Sequence, residues 1–124
     1  KKERKAVVKI IILNERDIKI INEIQHWRFL LSRQIKVLGG FNGQRACDRR
    51  IKKLIEAGYI ERKYIIHGVP RLYFITSKAV KLLDLEYRTA NIRIEQIAHD
   101  IAVIDTAIFL INKENVDSAS IYVL

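Results

Sequence analysis

The residues best equipped for chemistry lie between positions 44 and 71, and the chemistry they suit is the binding of a polyanion. From position 45 to 71 the chain carries eight Lys and Arg residues against three acids. At ~100° per residue, Cys47, Ile51, Leu54 and Ile55 share one side of a helix expected from Gln44 to Ala57, while Arg45, Arg49, Lys52 and Lys53 gather on the other. One side is built for a core and the other for anions. Such a helix fits the major groove of double-stranded DNA, with its bases on the phosphate walls and Gln44, Arg45 and Arg49 near base edges. Gln offers a donor and an acceptor at the spacing of adenine, and Arg offers two donors to guanine. Arg62, Lys63 and Arg71 flank an expected hairpin tip, where a wing could track the backbone or enter a narrow minor groove. Ser32 and Arg33 open a preceding short helix, where a backbone N–H and a guanidinium could meet phosphate. The same residues also fit blander roles: a solvated helix face, cations that blunt an edge strand, and plain N-capping by Ser32.

Little in the sequence suits reaction chemistry. His26, His67 and His99 are far apart and fall on three different expected elements, and none has metal-ligand spacing around it. Neighbours on a helix point ~100° apart, so His99 and Asp100 do not form a catalytic pair by adjacency. Asp100 and Asp105 diverge by ~140°, unlike the paired acids of phosphodiester cleavage. Gly39-Gly-Phe-Asn-Gly43 lacks the lysine and hydroxyl of a nucleotide loop and reads as a turn. A non-enzymatic protein without metal or cofactor is expected.

These side chains need elements to hold them. Asn14, followed by acids, marks a helix start, and Ile18, Ile21 and Ile24 then recur at helical spacing to about Arg28. Ser32 is expected to cap a second helix that stops at Gly39-Gly40, and Asn42 to cap the third, which Gly58 ends. From Tyr59 to Ile66 and from Leu72 to Ile75 the residues turn β-branched and aromatic around a Gly- and Pro-containing tip, which predicts a β-hairpin. Thr76-Ser77 can cap a fourth helix, and after a break near 88–91 a long helix runs to about Asn112. Val7 to Leu13 and Ser118 to Leu124 could add strands. The fold class is therefore mainly α with a small β-hairpin, a winged helix-turn-helix followed by a long C-terminal helix. It divides into a basic segment 1–13, a DNA-binding domain 14–88 and a C-terminal part 89–124.

Charge follows that division. The net +9 conceals a tail, 84–124, with three bases and seven acids. On that acidic segment Ile94, Ile97, Ile101, Ile104, Ile108 and Ile111 alternate at spacings of three and four, a heptad seam expected to form a homodimer interface, with packing back on the domain's own first helix as the alternative. At 124 residues with 49% apolar content the chain is long enough for one real core. A single cysteine, Cys47, excludes an intrachain disulfide and fits a reducing cytoplasm. The longest apolar run, Ala6 to Leu13, is broken by Lys9, so neither a membrane span nor a signal peptide is expected. The apolar ending Ile121-Tyr-Val-Leu124 suggests a further domain beyond it.

Arg49-Arg-Ile-Lys-Lys-Leu-Ile-Glu-Ala-Gly-Tyr-Ile-Glu-Arg62, followed by Gly68-Val-Pro-Arg-Leu-Tyr-Phe-Ile-Thr76, resembles the recognition helix and wing of bacterial regulators of the multiple-antibiotic-resistance-repressor and PadR kind. With His99-Asp-Ile-Ala-Val103 in the C-terminal helix, the chain is more similar to the replication-relaxation family of plasmids and conjugative elements. Ser77-Lys78 stands where that family commonly has Pro-Lys. The resemblance spans roughly residues 14 to 111 and implies DNA binding by Arg45, Arg49, Lys52, Arg62 and Arg71. The expected function is regulation of transcription or of mobile-element replication through double-stranded DNA. A winged-helix protein-interaction module and the DNA-targeting front of a nuclease are the alternatives.

Overall fold

The computed structural model describes residues 10–86 and 92–114. The chain divides into two compact units, Lys1–Ala90 and Asn91–Leu124. The first contains helices α1 (Glu15–Trp27), α2 (Ser32–Leu38) and α3 (Gln44–Glu56), then antiparallel strands β1 (Ile60–Lys63) and β2 (Leu72–Ile75), then a short helix α4 (Ser77–Leu82). In the second, a 3-10 turn at Ile94–Gln96 leads into α5 (Ile97–Glu114). The expected class, mainly helical with one hairpin and a long C-terminal helix, is the class found. No helix among the described residues is long and apolar enough to cross a membrane.

Local chemistry explains the helix ends. Asn14 caps α1 by accepting from the Asp17 N–H at 2.8 Å, and the Asp17 carboxylate accepts in return from the Asn14 N–H at 3.0 Å. Helices α2 and α3 end in the same device. Gly40 (φ +72°) and Gly58 (φ +90°) take the left-handed conformation, which spares an L side chain a steric cost. The next N–H, of Phe41 or Tyr59, then donates back to Lys36 O at 3.0 Å or Leu54 O at 2.9 Å. Each reversal returns an aromatic ring to the core, where Phe41 and Tyr59 are both buried.

The core lies between the inner faces of α1, α2 and α3 and the hairpin, with Ile20, Ile24, Leu30, Ile35, Leu54 and Leu72 almost fully buried. Register pairs Ile60 with Ile75, Glu61 with Phe74, Arg62 with Tyr73 and Lys63 with Leu72. On the far side of β2, Leu30 exchanges backbone hydrogen bonds with Tyr73 at 3.2 and 2.9 Å, so the segment between α1 and α2 acts as a one-residue third strand. That leaves β1, which carries Arg62 and Lys63, on the edge.

Several expectations need correction. Ser32 is the first residue of α2 and does not cap it: Leu31 is the N-cap residue, and its N–H donates to the Gln34 side-chain oxygen at 2.9 Å. Asn42 does not cap α3, because the reversal through Phe41 places Gly43 at the N-cap and leaves Asn42 exposed one residue earlier. The first strand ends at Lys63, not Ile66. Residues 10–13 form no strand, and Ile10 and Ile12 are 93% and 89% exposed; residues 7–9 and 118–124 lie outside the described residues. The isoleucine seam also divides. Ile94 sits in the 3-10 turn and is exposed, whereas Ile97, Ile104 and Ile108 are buried within the single chain and Ile101 and Ile111 are half-buried.

Candidate nucleic-acid interface

Helix α3 is held from three directions, and each hold turns the same face outward. Cys47, Ile51 and Leu54 are buried on its inner side. Midway along it, Arg50 donates through Nε to Asp17 Oδ1 at 2.9 Å and through Nη2 to Asp17 Oδ2, tying α3 to the first turn of α1. Asp17 is fully buried and Arg50 mostly so, and this side-chain hydrogen bond keeps the guanidinium pKa above its ordinary value. At the other end, Lys78 Nζ donates to Ala57 O at 2.6 Å, placing a cation at the negative pole of α3 while it also lies over the Tyr59 ring.

The outward side carries Arg45, Arg49, Lys52 and Lys53, all exposed. None of the four forms an ion pair among the described residues. Unpaired surface cations of one sign create a field that attracts polyanions. The structure thus places these four together as the spacing predicts.

Other expected site residues separate. Adjacent strand residues point to opposite faces. Arg62 therefore turns towards α3 and lines a groove of about 420 Å³ together with Ser32, Asp48, Lys52, Glu56 and Tyr73. Lys63 turns the other way, its Nζ 5.3 Å from the centre of the Phe74 ring. Arg71 is exposed at the far end of the hairpin, after the tip at Gly68 (φ +89°), and does not line the groove. Arg33 is exposed on the first turn of α2.

Gln44 is already engaged. Its Nε2 donates to Ser32 Oγ at 3.1 Å, to Asp48 Oδ1 at 2.9 Å and, more weakly, to Ser32 O at 3.4 Å. A side chain so occupied braces α2 against α3, its amide hydrogens already directed to acceptors within the chain. Ser32 accepts that bond through its hydroxyl oxygen.

Two participants escaped the sequence reading, Arg50 and Asp48. Arg50 lies three residues after Cys47 and four before Leu54, on the rim of the buried face, and that position was the available signal. Asp48 sits one turn into α3 on the groove side, one of two acids there with Glu56. Burial, reinforced by Asp48, pushes the neighbouring Cys47 thiol up to about 12, and its Sγ lies 3.8 Å from Ser32 O. Among the described residues no three His, Cys, Asp or Glu side chains come together as a metal cluster.

No family model, curated protein or solved structure matches this chain.

Proposed function

We propose that the first unit is a winged helix-turn-helix that binds double-stranded DNA, with α3 in the major groove and the hairpin as its wing. The observation that carries this reading is the outer face of α3: four exposed, unpaired cations on a helix whose other contacts all hold it in place. Arg62 extends that surface across the groove to β1. Arg45 and Arg49 are the residues placed for base edges, Lys52, Lys53 and Arg62 for phosphates, and Arg71 for the backbone beyond the tip. Binding without a reaction is the whole of the activity proposed, in the service of transcription or of mobile-element replication.

A monomeric reading head is part of the proposal. Three of the six isoleucines that would build a subunit seam, Ile97, Ile104 and Ile108, are buried in the single chain. A homodimer through α5 is the outcome that would revise it.

Fluorescence anisotropy with a labelled duplex at about 50 and 200 mM salt tests the reading. The four phosphate contacts assigned to Lys52, Lys53, Arg62 and Arg71 would give a log–log slope of about −3.6 and an affinity loss of about 150-fold over that interval. Absence of binding at the lower salt would remove the proposal.

A further inference from the structure

The groove between α3 and β1 is not uniformly basic. Among Lys52 and Arg62 it carries two carboxylates, the half-buried Glu56 at the end of α3 and the exposed Asp48 one turn from its start. A phosphate held by Lys52 or Arg62 gains nothing from Asp48 itself, so backbone contact alone leaves that carboxylate without a role. Its geometry is defined on one side only. Gln44 Nε2 donates to Asp48 Oδ1 at 2.9 Å and also to Ser32 Oγ at 3.1 Å, which fixes both the amide orientation and the carboxylate. Asp48 Oδ2 accepts no hydrogen bond among the described residues, and neither Lys52 nor Arg45 is in an ion pair with Asp48.

An ionised carboxylate accepts and never donates. In the major groove the donors are the N4 amino group of cytosine and the N6 amino group of adenine, while guanine presents only acceptors there. Adenine also places its N7 acceptor beside the amino group, against which a second carboxylate oxygen is unfavourable. Cytosine offers the donor without that neighbour. We propose that Asp48, braced by Gln44 and Ser32, is a specificity-determining residue that accepts from the N4 amino group of a cytosine and so selects one G·C orientation within the bound site. This inference rests on the DNA-binding reading. Gln44, on this account, is a positioning residue that acts through Asp48.

The test is selection of the wild-type protein, Asp48→Ala, Asp48→Asn and Gln44→Ala from a randomised duplex library, followed by affinities on the selected site and its single-base variants. The wild type is expected to prefer cytosine at one position by about tenfold, within the range of side-chain readout. Asp48→Ala should bind random-sequence duplex at least as tightly as wild type, because a repulsive charge is gone, yet lose the preference at that one position. Asp48→Asn should move the preference towards adenine, whose edge an amide matches. Gln44→Ala should weaken the cytosine preference and leave random-sequence affinity within about twofold, a split that a merely structural role would not produce. Circular dichroism melting of each variant confirms that a lost preference is not a lost fold. DNA binding with the same selected sequence in wild type and both Asp48 variants would overturn the inference and leave the DNA reading standing. No duplex binding by the wild type would remove both.

Discussion

Helices α3 and α5 are built alike on the inside and differently on the outside. Each buries residues at helical spacing, Cys47, Ile51 and Leu54 in α3 and Ile97, Ile104 and Ile108 in α5. On the opposite side α3 exposes Arg45, Arg49, Lys52 and Lys53, whereas α5 exposes Ala98, His99, Ala102, Val103, Thr106 and Phe109. Apolar periodicity therefore marks a helix that packs and says nothing about what lies outside it. The charge on the solvent side is what distinguishes a helix equipped to meet a polyanion from one that is not.

The largest effects should come from the shared inner faces. Leu54→Ala and Ile104→Ala each remove a fully buried aliphatic side chain, and each is expected to cost about 2–5 kcal/mol in urea unfolding monitored by circular dichroism. The comparison breaks if the Ile104→Ala cost depends on protein concentration, since that would place the residue in a subunit interface. Sedimentation equilibrium of the wild type should show a monomer.

Charge reversal on the outer faces comes next. Arg45→Glu with Arg49→Glu should lower duplex affinity by about 100-fold, each substitution removing one contact and adding a repulsion. Ala98→Glu with Ala102→Glu on the exposed side of α5 should change it by about twofold or less. Equal losses in the anisotropy assay would mean that net charge alone governs binding and that α3 is not the contact face.

The inner face of α3 holds a titratable group whose pKa is pushed up to about 12, Cys47, and its pH dependence sharpens the contrast. A thiol raised in the folded state is favoured there in its neutral form. Its contribution to stability is complete below the ordinary pKa near 9 and is lost as pH rises towards 12. Cys47→Ala should flatten the fall in stability over that window. Wild-type Cys47 should resist alkylation at pH 8 until the protein is unfolded, and rapid labelling of the native chain would contradict its burial.

Arg71→Ala carries the smallest effect. If the hairpin tip follows the backbone, affinity for every duplex should fall a few-fold and the salt slope should shrink by about one. An unchanged slope would restrict the contact surface to α3 and the groove beside it.

Much of this was legible in the sequence because it is local. Asn14 before Asp17, and Gly40 and Gly58 after helical stripes, act through bonds spanning a few residues, and all three do what their types dictate. The Arg45, Arg49, Lys52 and Lys53 face follows from period alone. What stayed hidden depends on neighbours distant in sequence. Gln44 looked available until Ser32 came within reach, and Arg50 looked like one more surface cation until Asp17 proved to lie opposite it, 33 positions away. Ser32 and Asn42 have the chemistry of caps, yet the Leu30–Tyr73 bridge and the reversal at Phe41 set helix starts one residue away from each. The pairing of Arg62 with Lys63 failed for a simpler reason: once strand register is fixed, neighbours must part.

The central claim, that the outer face of α3 is where DNA binds, is tested most directly by titrating ¹⁵N-labelled protein with a short duplex and mapping amide shifts. Shifts concentrated on Arg45, Arg49, Lys52 and Lys53, with Arg62 on the facing strand and α5 unmoved, are the predicted result. Shifts centred on α5 and absent from α3, or none at saturating duplex, would contradict it.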